Sequence, residues 1–109
     1  TKKRVYSEGM MEIKELQEKA EEIINQIDEK TGAKHDAETT TMHLCEETGE
    51  ICRAIINLKF KKESTNIENL KQEIADVILL TSKLANIHNI DVEKAVKEKI
   101  EKLKQRHDL

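Results

Sequence analysis

The chain has 109 residues, of which 38% are charged and only 2% are aromatic, and its formal net charge is −3. This length predicts a single domain, and the acidic balance argues against a protein that binds nucleic acid through phosphate contacts. No apolar run has the length of a transmembrane helix and no secretory signal is visible, so we expect a cytoplasmic protein with no membrane partner. Proline is absent and glycine occurs three times, which favours long helices around an aliphatic core.

The N-terminal part of the sequence predicts a loose arm and one amphipathic helix. Residues 1–9 are expected to form a flexible arm, and residues 10–109 the folded domain. Helix one is predicted to open at Ser7 or Gly9 and to end at Gly32. Its apolar stripe is predicted to contain Ile13, Leu16, Ala20, Ile23 and Ile27.

The two middle helices are predicted from their caps and from their apolar periodicity. Asp36 is the predicted N-cap of helix two, which runs to about Phe60. A polar turn follows, and Thr65 with Glu68 forms a capping box for helix three, which runs to about His88. The central stripes are predicted to contain Leu44, Thr48, Ile51, Ile55 and Leu58 on helix two, and Leu70, Ile74, Val77, Thr81 and Leu84 on helix three.

The C-terminal part of the sequence predicts a tight turn and a fourth helix. Asn89 suits the left-handed position after helix three, and Asp91 is the predicted N-cap of helix four. Short connections between successive helices predict antiparallel packing, so the fold class is an all-α, four-helix antiparallel bundle. The apolar arcs of the middle helices are wider than a four-helix monomer needs. We therefore expect homo-oligomerisation, as a homodimer or homotetramer, to complete the bundle.

Two pairs of carboxylates lie one helical turn apart on the middle helices. Glu47 and Glu50 fall at about −60° and about −120° from the stripe centre of helix two. Glu73 and Asp76 take the same two angles on helix three, so antiparallel packing lets all four converge. Carboxylates that are partly buried together repel one another and need a counter-charge, which a hard divalent cation supplies. The same spacing recurs on helices one and four, where a solvated helix face explains it.

The ordered combination of these acidic pairs resembles a known family. The run Glu46-Glu-Thr-Gly-Glu-Ile51, followed by Glu73-Ile-Ala-Asp-Val77, resembles the E-x-x-E and E-x-x-D signature of the MazG-like nucleotide pyrophosphohydrolases. The opening Ile13-Lys-Glu-Leu-Gln17 is similar to the first helix of that family. The tail from Asn89 to Lys99 is similar to its fourth helix. The resemblance extends over residues 11–106.

The resemblance implies an all-α enzyme that dimerises and hydrolyses nucleoside triphosphates to the monophosphate and pyrophosphate. Its metal ligands would be Glu47, Glu50, Glu73 and Asp76, holding Mg²⁺ or alternatively Mn²⁺. Glu50 and then Glu47 are the candidate general bases for the attacking water.

Four further residues are the candidates for substrate binding. Lys99 and Arg106 are candidates for the outer phosphates, and His43 and His35 for other parts of the substrate. The chain departs from the family by Leu103 in place of an asparagine. It also has no Trp or Phe in the loop before helix two, so base stacking would fall to His35 or to other aromatic residues.

Other functions remain compatible with the sequence. Within the same superfamily, a dUTP/dCTP hydrolase and a phosphoribosyl-ATP pyrophosphatase stay open. A different class is a non-catalytic helical module for oligomerisation or nucleotide binding. A di-iron bundle is disfavoured because no Glu-x-x-His occurs in the sequence.

Overall fold

The computed structural model describes residues 9–61 and 65–109, which form four α-helices and, within these ranges, no β-strand. Helix α1 spans Ile13–Thr31, α2 spans Ala37–Phe60, α3 spans Thr65–Ile87 and α4 spans Val92–Arg106. The all-α prediction is confirmed. The predicted arm lies, except for Gly9, outside the described residues, and so does the side chain of Thr65 with its predicted capping box.

Most helix ends lie where local sequence chemistry places them. Gly32 ends α1 with φ of 77°, and its backbone N–H donates to the carbonyl of Asp28. The Asp36 side chain accepts from the backbone N–H of Thr39 at 2.9 Å, which lowers the pKa of Asp36 and confirms it as the N-cap of α2. The predicted start of α1 at Ser7 or Gly9 is wrong, because the helix begins only at Ile13.

The predicted turn between α3 and α4 is also confirmed, and it forms hydrogen bonds with α1. Asn89 has φ of 55°, and the N–H of Ile90 donates to the carbonyl of Ala85, as expected for a helix that ends in a left-handed residue. The Gln17 side chain then donates to the carbonyl of Ile90 at 2.9 Å and accepts from the N–H of Val92 at 3.0 Å. One residue of α1 therefore fixes the point where α4 begins.

Helix α3 is the central element, since it packs most extensively on α2 and also on α1. Helix α4 packs mainly on α1, and every one of its residues after Val92 is exposed. The fully buried core of the described chain is small and rich in alanine: Ala20, Ile24, Ala54, Leu80 and Ala85. The four helices therefore form a helical bundle in which α4 contributes little buried surface.

The packed faces of α2 and α3 follow alternating steps of three and four residues, as in an antiparallel coiled coil. The covered positions that follow this pattern are Thr40, Leu44, Glu47, Ile51, Ala54 and Leu58 on α2, and Leu70, Glu73, Val77, Leu80 and Leu84 on α3. Six of the ten predicted stripe residues are covered, and the other four, Thr48 and Ile55 on α2 and Ile74 and Thr81 on α3, are exposed. The buried face of each helix is therefore rotated from the predicted centre. As a result, Glu47 and Glu73 lie within the helix–helix seam.

A buried lysine joins α1 to α3. The Nζ atom of Lys83 donates to Oε1 of Glu21 at 2.6 Å and to Oδ1 of Asn25 at 3.1 Å, and the lysine side chain is only 7% exposed. The Asn86 amide adds hydrogen bonds to the carbonyl of Gln17 and to Glu21. Desolvation raises the pKa of Glu21, but the hydrogen bonds from Lys83 and Asn86 outweigh it and lower the pKa. These bonds fix the position of α1 over α3.

Among the described residues, the helices are all too short or too polar to pass through a lipid bilayer.

Candidate metal centre

Three of the four predicted carboxylates meet between α2 and α3. Glu47 projects from α2, while Glu73 and Asp76 project from α3 one turn apart. One oxygen from each of them lies within 4.8 Å of the other two, with Glu47 and Glu73 half-buried and Asp76 exposed. Three hard oxygen ligands that face one point are a donor set suited to Mg²⁺, Mn²⁺ or Ca²⁺.

Glu73 lies close enough to Glu47 for the two carboxyl groups to interact. A hydrogen bond shared with Glu47, then desolvation, then the negative charge of Glu47 raise the pKa of Glu73. The Oε2 atom of Glu73 is buried and has no hydrogen-bond partner among the described residues. A buried carboxylate oxygen with no donor is unfavourable, and a cation would satisfy it. The residues present therefore fit a divalent cation.

Glu50 lies outside this group of three. Its Oε1 atom is 3.9 Å from Nη2 of Arg53, one turn further along α2. It lines, together with Glu73, Asn57 and Asn69, a cavity of about 220 Å³ beside the carboxylate group. Glu50 is thus adjacent to the centre, and its assignment as a ligand or as a base stays a prediction.

The two histidines named from the sequence form one connected chain with Glu47. The Nε2 atom of His43 lies 3.3 Å from Oε1 of Glu47, and its Nδ1 atom lies 3.0 Å from Nε2 of His35. The Nδ1 atom of His35 lies 2.8 and 2.9 Å from the two carboxylate oxygens of Asp28. Sequence reasoning missed Asp28, because no periodicity links the end of α1 with the loop before α2.

The comparison with known families fits this geometry. A family model described as the MazG nucleotide pyrophosphohydrolase domain matches residues 35–109. The chain belongs to the MazG family. A search of curated proteins found no match.

The MazG match contains α2, α3 and α4, and with them all four signature carboxylates. Helix α1 precedes the matched residues, although it contributes Asp28 to the histidine chain. A nucleotide pyrophosphohydrolase domain with a divalent metal is the general expectation for such a chain, and its carboxylate group agrees with that expectation.

A second cavity, of about 190 Å³, also borders the carboxylate group. Its walls are aliphatic side chains of α1 and α3, namely Ile23, Ile24, Ile27, Leu79 and Leu80. Its polar edge is formed by His35, His43, Glu47 and Asp76. The cavity therefore combines an apolar interior with the groups that form the metal centre.

The two cationic residues predicted to bind phosphate lie elsewhere in this chain. Lys99 and Arg106 are exposed on α4, and neither lines either cavity beside the carboxylates. Leu103, which replaces the asparagine of the family, is also on α4 and is 38% exposed. The carboxylate group and the adjoining histidine chain of one protein chain thus come from α1, α2, α3 and the loop before α2.

Proposed function

We propose that this protein hydrolyses nucleoside or deoxynucleoside triphosphates to the monophosphate and pyrophosphate with the help of Mg²⁺. The observation that supports the proposal is the group of Glu47, Glu73 and Asp76 in a chain of the MazG family. Mn²⁺ prefers the same oxygen ligands and is the alternative ion. A scaffold would gain nothing from three acidic groups at a helix–helix seam, since their repulsion destabilises the packing.

The roles of the carboxylates follow from their positions. Glu73 and Asp76 would hold the cation from α3, and Glu47 would hold it from α2. A bound divalent ion supplies charge neutralisation at the phosphates and a more acidic water. Glu50 is our candidate for the general base, because it is partly exposed in the adjoining cavity and its ion pair with Arg53 is long. Glu47 is the second candidate.

Binding of the rest of the nucleotide would involve two regions. The cavity edged by His35 and His43 adjoins the metal centre and offers an apolar wall to a nucleoside. Lys99 and Arg106 lie on α4 and line neither cavity beside the carboxylates, so we propose that they contact the phosphates bound by a second copy. Such a contact favours an oligomer with sites completed between chains.

Exposed apolar side chains on every helix also favour a homodimer or homotetramer. They include Ile55, Ile56 and Phe60 on α2, Ile67, Ile74 and Ile78 on α3, and Val96 and Ile100 on α4. Ile74 and Ile78 share one face of α3, and Val96 and Ile100 share one face of α4; exposed apolar faces of this kind favour protein contacts. Light scattering of the purified protein should give a mass at least twice the 12.6 kDa of one chain. A mass of one chain at micromolar concentration would contradict the oligomer.

The activity is tested by incubating the protein with a panel of nucleoside and deoxynucleoside triphosphates, followed by separation of the products. We expect monophosphate and pyrophosphate in equal amounts with Mg²⁺ and neither with excess chelator. Release of single phosphate groups would contradict a pyrophosphohydrolase. Turnover confined to uracil and cytosine nucleotides, or to phosphoribosyl-ATP, would select one of the narrower members of the superfamily. Metal and nucleotide binding with no turnover would instead support the non-catalytic module.

A further inference from the structure

We propose that Asp28, His35 and His43 form a hydrogen-bonded chain that positions the Glu47 carboxylate for the cation. The proposal rests on the metal-binding function proposed above. It assigns a positioning role to the two histidines and to an aspartate of α1 that the MazG match does not include. The four groups follow one another at 2.8, 3.0 and 3.3 Å from Asp28 to Glu47.

Only the first hydrogen bond of this chain has a direction fixed by its acceptor. Asp28 has only acceptor atoms when ionised, so Nδ1 of His35 donates to its carboxylate. The Nε2 atom of His35 and the Nδ1 atom of His43 share the next hydrogen bond, at 3.0 Å. The Nε2 atom of His43 then lies 3.3 Å from Oε1 of Glu47, so the end of the chain contacts the carboxylate.

Burial makes the far end of the chain the rigid one. The side chains of His35 and Asp28 are only 13% and 15% exposed, whereas that of His43 is 42% exposed. His35 also lies between Gly32, which ends α1, and Asp36, which caps α2, so its backbone is held at both sides. The buried pair therefore restricts the more exposed ring of His43.

The position of Glu47 matters because its carboxylate can contact Glu73 instead of a cation. Glu47 shares a hydrogen bond with Glu73, and such carboxyl pairing excludes a cation. The contact of the His43 ring with Oε1, at 3.3 Å, limits rotation of the Glu47 carboxylate. Removal of a residue that contacts a metal ligand typically weakens metal binding by roughly 10–100-fold.

The test is a titration of Mn²⁺ into the nucleotide-free protein, with free Mn²⁺ followed by electron paramagnetic resonance. His43→Leu should weaken Mn²⁺ binding by roughly 10–100-fold. His43→Gln should recover most of the affinity, because the glutamine amide can donate to Glu47 from nearly the same place. Asp28→Asn should weaken binding in the same direction, although Asp28 touches neither Glu47 nor the ion. His88→Leu, at an exposed histidine after α3, is the matched control and should bind as the wild type does.

The outcomes separate this proposal from the proposed function. Wild-type protein that binds no Mn²⁺ would overturn the metal centre and the positioning role together. Wild-type protein that binds Mn²⁺, with equal affinity in His43→Leu, would overturn the positioning role alone. If His43→Leu does not fold, as judged by circular dichroism, Asp28→Asn and His43→Gln decide the question. Unchanged affinity in Asp28→Asn would then contradict the chain.

Discussion

Replacing Glu73 by glutamine should reduce triphosphate hydrolysis by on the order of 100-fold or more and abolish tight metal binding. Metal assistance is worth several kcal/mol of transition-state stabilisation, and each ~1.4 kcal/mol corresponds to a factor of ten in rate. The Oε2 atom of Glu73 is buried and has no hydrogen-bond partner among the described residues, so a cation would satisfy it. The substitution therefore removes a proposed ligand whose interaction with the cation is strongly favourable. Initial rates of pyrophosphate release measure the effect.

The same substitution should stabilise the metal-free protein. The folded protein raises the pKa of Glu73 above its usual 4.5, so the protonated carboxyl group favours the folded state. This contribution to the free energy of unfolding is fully present below pH 4.5. It is lost as the pH rises through the raised pKa. In excess chelator, the melting temperature of Glu73→Gln should therefore exceed that of the wild type at pH 7.5, and the difference should shrink toward pH 4.5.

A matched control separates the effect of the location of Glu73 from the effect of losing one negative charge. Glu68→Gln removes one negative charge from an exposed position of the same helix, near Lys71. It should leave hydrolysis unchanged and should not raise the melting temperature as Glu73→Gln does. Two results would contradict this role of Glu73. One is a Glu73→Gln protein that is less stable than the wild type in chelator, and the other is a Glu73→Gln protein that keeps full activity.

Replacing Lys83 by methionine should lower the free energy of unfolding by about 2 kcal/mol. The change removes the buried ammonium group that bonds to Glu21 and Asn25. Removal of one partner from a fully buried ion pair costs roughly 3–5 kcal/mol. The smaller value is expected because the side chain of Glu21 is 40% exposed and water can replace part of the lost contact.

Urea unfolding at pH 7.5 measures this loss. Lys97→Met is the matched control, since Lys97 forms an exposed ion pair with Glu93 at 3.7 Å and its removal should change stability by well under about 1 kcal/mol. The effect of Lys83→Met should also decline in acid. The lowered pKa of Glu21 stabilises the fold above its usual value of 4.5, and this part is lost as the pH falls through the folded pKa. Equal losses in the two variants would contradict the role of Lys83.

The helix boundaries were largely predictable because single residues determine them. Asp36, Asn89 and Asp91 end or begin helices through their own side chains or backbone angles, and Gly32 does so through its left-handed conformation. The start of α1 was not predictable in this way. Glu12 is the N-cap in an extended conformation, and no Ser, Thr, Asp or Asn stands there to indicate it.

The rotation of the middle helices could not be read from hydropathy alone. Ile55 and Ile74 are more apolar than Ala54 and Glu73, so a periodicity argument centres the stripe on the isoleucines. The structure buries Ala54 almost completely and leaves Ile55 half exposed. Ala54 allows the helices of one chain to approach at that point, while Ile55 and Ile74 remain outside, where we propose that another copy covers them.

The candidate site was partly predictable. Spacing together with a position beside the apolar stripe, and the resemblance to the family signature, identified Glu47, Glu73 and Asp76. The side-chain direction of Glu50 toward Arg53, and the link from Asp28 through two histidines, depend on contacts that sequence separation does not reveal. Lys83 was missed because a lysine in a helix is usually solvated.

The most direct test of the metal centre is a crystal structure of the protein soaked with Mn²⁺, with anomalous scattering used to locate the ion. We predict an anomalous peak bonded to carboxylate oxygens of Glu47, Glu73 and Asp76. A soaked crystal in which these three side chains bind no ion, with Mn²⁺ absent or held elsewhere, would contradict the account.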